Sequence, residues 1–191
     1  MTRIVAGTAG GRSLRSPTGV QTRPTSNRVR EALFSALEAA VGPMQGLRFL
    51  DLCAGSGAVG LEALSRGAST AVFVEQDQRT AALLRDNAVE LRLGGATVVT
   101  DSVAHHLSRT YPSRFDVAFC DPPYVLGGEE LTEVIELLVG REWLAADAVV
   151  VLERSSRGPA PIWPPGMLAT RQRRYGDTTL WYGRRSADPA P

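Results

Sequence analysis

Four consecutive residues, Asp121-Pro122-Pro123-Tyr124, carry the groups best suited to chemistry in this chain. The carboxylate of Asp121 accepts hydrogen bonds, and the carbonyl of Pro122 is a second acceptor with no N–H at Pro123 to compete for it. Two neighbouring acceptors match the two protons of an exocyclic base amine, and Tyr124 offers a flat face for stacking. The tetrapeptide therefore predicts a site for a nucleobase amine, although two prolines at a strand end also fit a simple turn.

The position of the tetrapeptide supports the prediction of a site. It follows an apolar run at residues 117–120 that is typical of a buried strand. We therefore expect it at the carboxyl end of a parallel strand, where α/β enzymes bind their ligands.

A glycine-rich loop follows an earlier predicted strand. The residues Gly55, Gly57 and Gly60 fit G-x-G-x-x-G, so a nicotinamide or flavin dinucleotide is one interpretation. Asp51 argues against it, because a carboxylate is a poor neighbour for a pyrophosphate but a good one for the cationic amino group of S-adenosylmethionine. Glu75, at the end of the next strand, fits ribose hydroxyls in both interpretations.

Two further polar residues, Asp101 and Ser102, follow the third predicted strand. They are placed to contact an adenine, or they simply cap the next helix.

Strand and helix patterns alternate along the rest of the chain. Apolar runs predict five parallel strands, at residues 47–52, 71–75, 96–100, 115–120 and 148–152. Residues 168–175 and 178–182, joined at Gly176-Asp177, predict an antiparallel hairpin. A helix capped by Thr25 or Ser26 precedes the sheet. The predicted fold class is therefore α/β, a Rossmann-like, mostly parallel sheet with a C-terminal antiparallel hairpin.

The composition favours one globular domain with a small appendage. The chain has 191 residues, 43% of them hydrophobic. No apolar run approaches the ~18 residues of a membrane span. The amino terminus does not have the order of a signal peptide, and two cysteines are too few for a disulfide framework. We expect a cytoplasmic protein that does not associate with membranes.

Charge is distributed unevenly along the chain. Residues 1–30 hold 6 arginines and no acid, residues 31–153 hold 8 arginines and 18 acids, and residues 154–191 hold 7 arginines and 2 acids. All the cations are arginine, whose guanidinium suits phosphate. Basic segments on an acidic body are expected of a protein that acts on a polyanion, although a basic terminus also fits a solvated tail.

These motifs occur in order on successive strands and together resemble a known family. RPTSNRVREALF at residues 23–34, DLCAGSGAVGLEALSRG at 51–67, VEQD at 74–77 and DPPY at 121–124 closely resemble the RsmD family of bacterial 16S ribosomal RNA guanine-N2 methyltransferases. The resemblance covers residues 3–153. It implies the class I S-adenosylmethionine-dependent methyltransferase fold with a small basic N-terminal arm.

The residue patterns and the resemblance together give the candidate site residues. The candidate catalytic residues, which would hold and stack the guanine, are Asp121, Pro122, Pro123 and Tyr124. The candidate cofactor-binding residues are Asp51, Ala54, Gly55, Ser56, Gly57, Glu75, Gln76, Asp101 and Ser102. The candidate RNA-binding residues are Arg3, Arg12, Arg23, Thr25, Arg28 and Arg30. No motif in residues 155–191 supports an assignment.

The expected reaction is direct methyl transfer to a guanine that has left its stack. Asp121 and the Pro122 carbonyl orient N2, which attacks the methyl group of S-adenosylmethionine and leaves S-adenosylhomocysteine. The expected partner is 16S rRNA in the 30S subunit or an assembly intermediate, with no metal, and the expected state is a monomer. Residues 1–44 are predicted to be an RNA-facing arm and helix, 45–185 the methyltransferase domain and 186–191 a disordered tail.

Three other functions agree with parts of the sequence. A DNA adenine-N6 methyltransferase uses a similar D-P-P-Y site, but this chain has no room for a sizeable target-recognition domain. A dinucleotide-dependent oxidoreductase would explain the glycines but not Asp51 or the tetrapeptide. A non-catalytic RNA-binding chaperone would explain only the arginines.

Overall fold

The computed structural model describes residues 2–17, 26–111, 113–122 and 128–186. The helices in these ranges are α1 (Asn27–Val41), α2 (Ala58–Ser65), α3 (Gln78–Leu91), α4 (Val103–Leu107) and α5 (Gly128–Gly140). The strands are β1 (Thr2–Arg3), β2 (Ser13–Leu14), β3 (Arg48–Leu52), β4 (Thr70–Glu75), β5 (Ala96–Thr100), β6 (Phe115–Cys120), β7 (Leu144–Ser155), β8 (Met167–Tyr175) and β9 (Thr178–Arg185). None of these helices is both long and apolar enough to cross a membrane.

Seven strands form one sheet in the order β5-β4-β3-β6-β7-β9-β8, and β1 pairs separately with β2. The first five strands of that order are parallel, while β9 is antiparallel to both of its neighbours. The chain order reverses between β3 and β6, which is the switch point where open α/β sheets bind ligands. The predicted parallel sheet with a C-terminal antiparallel hairpin is therefore confirmed.

Helices cover both faces of the sheet because its central strands are apolar on both sides. On one face, Phe49 and Phe73 are buried in a cluster with residues of α1, α2 and α3. On the other, Leu50 and Val72 are buried in a cluster with residues of α5. These two sides are named the α1 face and the α5 face below.

Helix α1 begins at one of its two predicted caps. The hydroxyl of Ser26 accepts a hydrogen bond from the Val29 N–H at 3.3 Å, so Ser26 is the N-cap. Thr25, the alternative cap, lies outside the described residues. Gly42 ends the helix with a φ of 82°, a conformation that glycine adopts without strain.

The N-terminal arm, residues 2–17, packs on the sheet domain. Ile4 and Leu14 are buried in the cluster of the α1 face. The carboxylate of Glu62 in α2 accepts hydrogen bonds from the backbone N–H groups of Val5 at 2.7 Å and Ala6 at 2.9 Å. Residues on both sides of the predicted boundary at 44–45 therefore share one core.

The expectation that Arg30 faces RNA is contradicted by its complete burial. Its guanidinium lies between α1 and α2, with Nε 3.5 Å from the Glu62 carboxylate, and it also donates to the carbonyl of Arg3. Burial lowers the pKa of Arg30, and the charge of Glu62 raises it. Arg30 therefore holds the arm, α1 and α2 together.

Strand β7 is longer than the predicted 148–152. Its register with β6 shifts between Phe115 and Val117, and Asp147 has a φ of 63°. Because these irregular residues precede the apolar run, the hydrophobic pattern identifies only the regular part of the strand. The predicted tail 186–191 falls, apart from Ser186, outside the described residues.

We expect Glu62→Ala to destabilise the protein strongly. The substitution leaves the buried guanidinium of Arg30 without its carboxylate, and breaking a buried ion pair in this way costs about 3–5 kcal/mol. The free energy of unfolding, measured by urea denaturation, should fall by about that amount. Glu31→Ala removes an exposed carboxylate from α1 and should change it by less than ~0.5 kcal/mol. Equal losses in the two variants would contradict the role given to Glu62.

Candidate functional site at the carboxyl edge of the sheet

The two sequence motifs meet at the carboxyl edge of the sheet. Strands β3 and β6 are parallel neighbours, and Leu52 pairs with Cys120 in their register. The glycine loop, residues 53–57, leaves β3 at this level, and Asp121 leaves β6 beside it. Groups that are far apart in the chain are thereby brought to one crevice.

The glycine loop turns tightly into α2. Gly57 has a φ of 80°, and a Cβ there would lie 2.8 Å from Cγ of Leu84. A Cβ on Gly60 would lie 2.3 Å from the ring of Phe73. A Cβ on Gly55 would meet no described atom within 4 Å. The loop is therefore packed tightly at its helix end and open at Gly55, where the sequence predicts a ligand.

The carboxyl group of Asp51 is buried beneath this loop. It is 1% exposed, and Oδ2 accepts a hydrogen bond from the Gly60 N–H at 2.8 Å. Burial raises the pKa of Asp51 to about 8, with a smaller rise from the charge of Glu75 and an opposing effect of the Gly60 N–H. Asp51 is thus mostly protonated at pH 7, and a nearby cation would favour its ionised form.

Glu75 closes the other side of the loop. Its Oε2 accepts a hydrogen bond from the Gly55 N–H and its Oε1 from the Asp77 N–H, both at 2.9 Å. Each carboxylate oxygen has further lone pairs, so Glu75 can also accept hydroxyl donors such as those of a ribose. Gln76, the next candidate residue, is exposed.

Asn87 in α3 links the glycine loop to the arm. It is 2% exposed, and its Nδ2 donates to the carbonyls of both Ser56 and Arg15 at 3.0 Å. Its Oδ1 accepts from the Arg15 N–H at 3.0 Å. The loop is also tied to β4, because the Ala54 N–H donates to the carbonyl of Val74 at 3.0 Å.

Asp101 and Ser102 make local contacts at the start of α4. The Ser102 hydroxyl accepts from the His105 N–H, so Ser102 is the N-cap. The Asp101 carboxylate lies 2.9 Å from Nδ1 of His105 and 3.5 Å from Arg109. The hydrogen bond with His105 lowers the pKa of Asp101. These contacts agree with the capping interpretation, and contact with adenine stays a prediction.

Asp121 and Pro122 lie at the open edge of the crevice. Asp121 is half-buried and Pro122 is buried. Burial raises the pKa of Asp121 well above its usual range, the charges of Glu153 and Asp51 raise it further, and Arg154 lowers it. The candidate residues Pro123 and Tyr124 lie outside the described residues, so their roles stay predictions.

Glu153 is a site residue that the motifs do not reveal. Leu152 pairs with Cys120, so Glu153 lies beside Asp121 at the ends of β7 and β6. It is 7% exposed, and its charge raises the pKa of Asp121. The signal available in the sequence is only its position as the first acid after the apolar run at residues 148–152.

The candidate RNA-binding residues lie in different environments. Arg3 and Arg28 are exposed, whereas Arg30 is buried as described above. Arg23 and Thr25 lie outside the described residues. The side chains of Arg3 and Arg28 are therefore accessible to a polyanion.

Arg12 is exposed but already has partners. Its guanidinium donates to the carbonyls of Leu91, at 2.9 Å, and Glu90 at the end of α3. A cation at a helix carboxyl end is stabilised by the helix dipole. Arg12 thus anchors the arm to α3.

The arrangement suits a cationic ligand rather than a pyrophosphate. Asp51, Glu75, Asp121 and Glu153 are acids on neighbouring strand ends, and their ionised forms would repel phosphates that approach the loop. The described residues contain no group of three or more side chains arranged to hold a metal ion. A ligand with a positive charge and a nucleoside would match this site. Its charge would match the acids, its ribose hydroxyls could donate to Glu75, and the space at Gly55 is open.

Comparison with known proteins gives consistent matches over nearly the whole chain. A family model described as conserved hypothetical protein 95 matches residues 2–184. The ribosomal RNA small subunit methyltransferase D of Escherichia coli (strain K12) is 35% identical over 185 residues, which cover 97% of this chain and 90% of that protein.

Solved structures also match over most of the chain. The structure of yhhF from Escherichia coli has a TM-score of 0.86 at 33% identity and covers 98% of this chain and 99% of that one. The rRNA methyltransferase aviRa from Streptomyces viridochromogenes shares the fold, with a TM-score of 0.67 at 19% identity. That match covers 90% of this chain and 88% of aviRa. The predicted class I methyltransferase fold is confirmed.

Asp51 is expected to act on a bound ligand through its charge. Asp51→Asn keeps an acceptor for the Gly60 N–H but loses the charge, and a hydrogen bond to a charged group contributes about 1.5–3 kcal/mol. We expect calorimetry to show at least about tenfold weaker binding of S-adenosylmethionine. Compared with wild type, the loss should grow as the pH rises toward about 8, where Asp51 ionises in the free protein.

Adenosine is the matched control ligand because it lacks the amino-acid group. Asp51→Asn should leave its affinity unchanged, whereas Glu75→Gln should weaken both ligands. Equal losses of both ligands in Asp51→Asn would mean that the substitution disturbs the loop itself.

Proposed function

The chain belongs to the RsmD family, described as conserved hypothetical protein 95, and we propose that it transfers a methyl group from S-adenosylmethionine to N2 of a guanine in 16S ribosomal RNA. The proposed substrate is the 30S subunit or an assembly intermediate. The observation that carries the proposal is the position of Asp121 beside the glycine loop at the switch point of the sheet.

The proposed cofactor contacts follow from the site. Gly55 and Gly57 would line the cofactor, Glu75 would accept its ribose hydroxyls, and Asp51 would face its amino group. When bound, S-adenosylmethionine supplies a methyl group activated by the positive charge on sulfur. The acids around the loop favour that charge, which supports this cofactor over a dinucleotide.

The proposed role of Asp121 and Pro122 is to orient the guanine amine. The Asp121 carboxylate and the Pro122 carbonyl accept hydrogen bonds from its two N–H groups. These hydrogen bonds draw the nitrogen lone pair out of conjugation with the ring. Tyr124 would stack on the base after it leaves its helix. Positioning of this kind can supply about 7–11 kcal/mol of the rate enhancement.

The proton released from N2 needs an acceptor. When N2 gains a methyl group it must lose one hydrogen ion, and it becomes acidic only at that stage. The raised pKa of Asp121 makes its carboxylate a better proton acceptor than an ordinary aspartate. Asp121 thus orients the amine before transfer and takes up its proton afterwards.

Removing the Asp121 carboxylate tests the proposed function directly. We expect Asp121→Ala to abolish methyl transfer while leaving the calorimetric affinity for S-adenosylmethionine nearly unchanged, because Asp121 contacts the base rather than the cofactor. The substrates to compare are 30S particles, naked 16S rRNA and duplex DNA. Transfer to DNA adenine would favour the alternative methyltransferase, and loss of cofactor binding in Asp121→Ala would show that the residue has only a structural role.

The acid limb of the pH profile should report the ionisation of Asp121. Transfer requires the carboxylate, so kcat/KM should fall as the pH drops through a pKa that lies above the ~3.9 of a free aspartate. Glu153→Gln removes a negative neighbour and lowers that pKa, so the limb should move to lower pH. Glu136→Gln, at an exposed position of α5, is the control and should leave it in place. An unmoved limb in Glu153→Gln would contradict the coupling of the two acids.

A further inference from the structure

Strand β8 is an outer strand of the sheet with an unusual surface. Its residues 168–174 are all exposed, and they include Arg171, Arg173 and Arg174. Residues 154–186, all described, hold seven arginines against one acid, Asp177. This basic strand carries no sequence motif, and the proposed function above does not use it.

The strand register connects β8 to the candidate site. Glu153 of β7, which lies beside Asp121, pairs with Leu180 of β9, and Leu180 pairs with Arg173. The four residues therefore form one row across β6, β7, β9 and β8. Since neighbouring strands are about 4.8 Å apart, the backbone of Arg173 lies about 15 Å from that of Asp121. This is a short distance for a nucleic-acid strand that follows a basic surface.

Arg171 and Arg173 point to the same side of the sheet. Directly paired residues share a face, and the partners Tyr182 and Leu180 are both buried in the cluster of the α1 face. The Arg171 guanidinium lies 6.0 Å from the centre of the Tyr182 ring. Neither arginine forms an ion pair with a described residue. Both side chains are therefore available on the face that also carries the arm and α1.

The arginines at the opposite end of the hairpin are used differently. Arg184 is paired with Asp147 at 3.3 Å, and Arg185 donates to the carbonyl of Leu144. Both lie toward the amino edge of the sheet, away from the site. Arg184 is thus a matched control, since it is an arginine of the same hairpin.

We propose that Arg171 and Arg173 bind phosphates of the RNA strand next to the target guanine. This interaction surface rests on the proposed function, because the register ties it to Asp121. Guanidinium groups without acidic partners match phosphate oxygens. Together with the exposed Arg3 of the arm and Arg28 of α1, these arginines are basic groups outside the acidic crevice, so that the RNA backbone is held outside it while one base enters.

The salt dependence of RNA binding tests this surface without requiring methyl transfer. Affinity for a 16S rRNA transcript is measured at a series of KCl concentrations for wild type, Arg171→Gln/Arg173→Gln and Arg184→Gln. Each phosphate contact with a single strand contributes about 0.7 to the slope of log K against log salt, so the double variant should lose about 1.4. Arg184→Gln should keep the wild-type slope. An unchanged slope in the double variant, or an equal change in both variants, would overturn the proposal.

A second readout separates this surface from the catalytic site. The double variant should raise KM for RNA while leaving kcat at saturating RNA and the affinity for S-adenosylmethionine unchanged. Arg171→Lys/Arg173→Lys keeps both charges and should keep the salt slope. If the glutamine variant is lost to aggregation, the lysine variant decides. If the lysine variant does not keep the wild-type salt slope, the proposal is overturned and the arginines only protect an open strand edge. If wild type binds with the expected slopes but methylates no rRNA, the proposed function fails and the surface stands.

Discussion

The parallel pairing of β3 with β6 is the constraint on which the site depends. From β3 the chain continues to β4 on one side of this pair, and from β6 it continues to β7 on the other side. The carboxyl ends of β3 and β6 therefore border an open crevice. Their register sets Leu52 beside Cys120, and so brings the glycine loop to Asp121. A slip of one residue in β6 would turn each of its side chains to the opposite face. The position of Asp121 relative to both the loop and Glu153 is therefore fixed by backbone hydrogen bonds rather than by its own contacts.

The charges around the crevice favour a cationic ligand. Asp51 and Glu75 are partly compensated by backbone N–H groups of the glycine loop and its flanks. The pKa of Asp51 is nevertheless raised, so these N–H groups do not offset the cost of its burial. Burial raises the pKa of Asp121 as well. A ligand that brings positive charge into the crevice relieves both groups, whereas an anion adds to their cost. In the proposal made above, the polyanionic RNA backbone is instead bound by arginines that lie outside the crevice.

Local patterns were sufficient for much of the fold and part of the site. The cap at Ser26, the glycine loop and the turn at Gly176-Asp177 are encoded within a few residues each, and the structure confirms them. The prediction that Arg30 faces RNA is wrong because its partner, Glu62, belongs to a helix far along the chain. Glu153 was missed because its proximity to Asp121 depends on strand pairing. Such long-range partners have no local signal in a single sequence.

The strand order also has a consequence for biosynthesis. Strand β9 lies between β7 and β8 although it follows both in the chain. A nascent chain that has reached Tyr175 therefore has β7 with an open edge and β8 without any neighbour. Open edges can pair with other chains, and half-assembled sheets are prone to aggregate. Insertion of residues 178–185 pairs the open edge of β7. Before that step, the charged side chains of β8 disfavour aggregation of the unpaired segment.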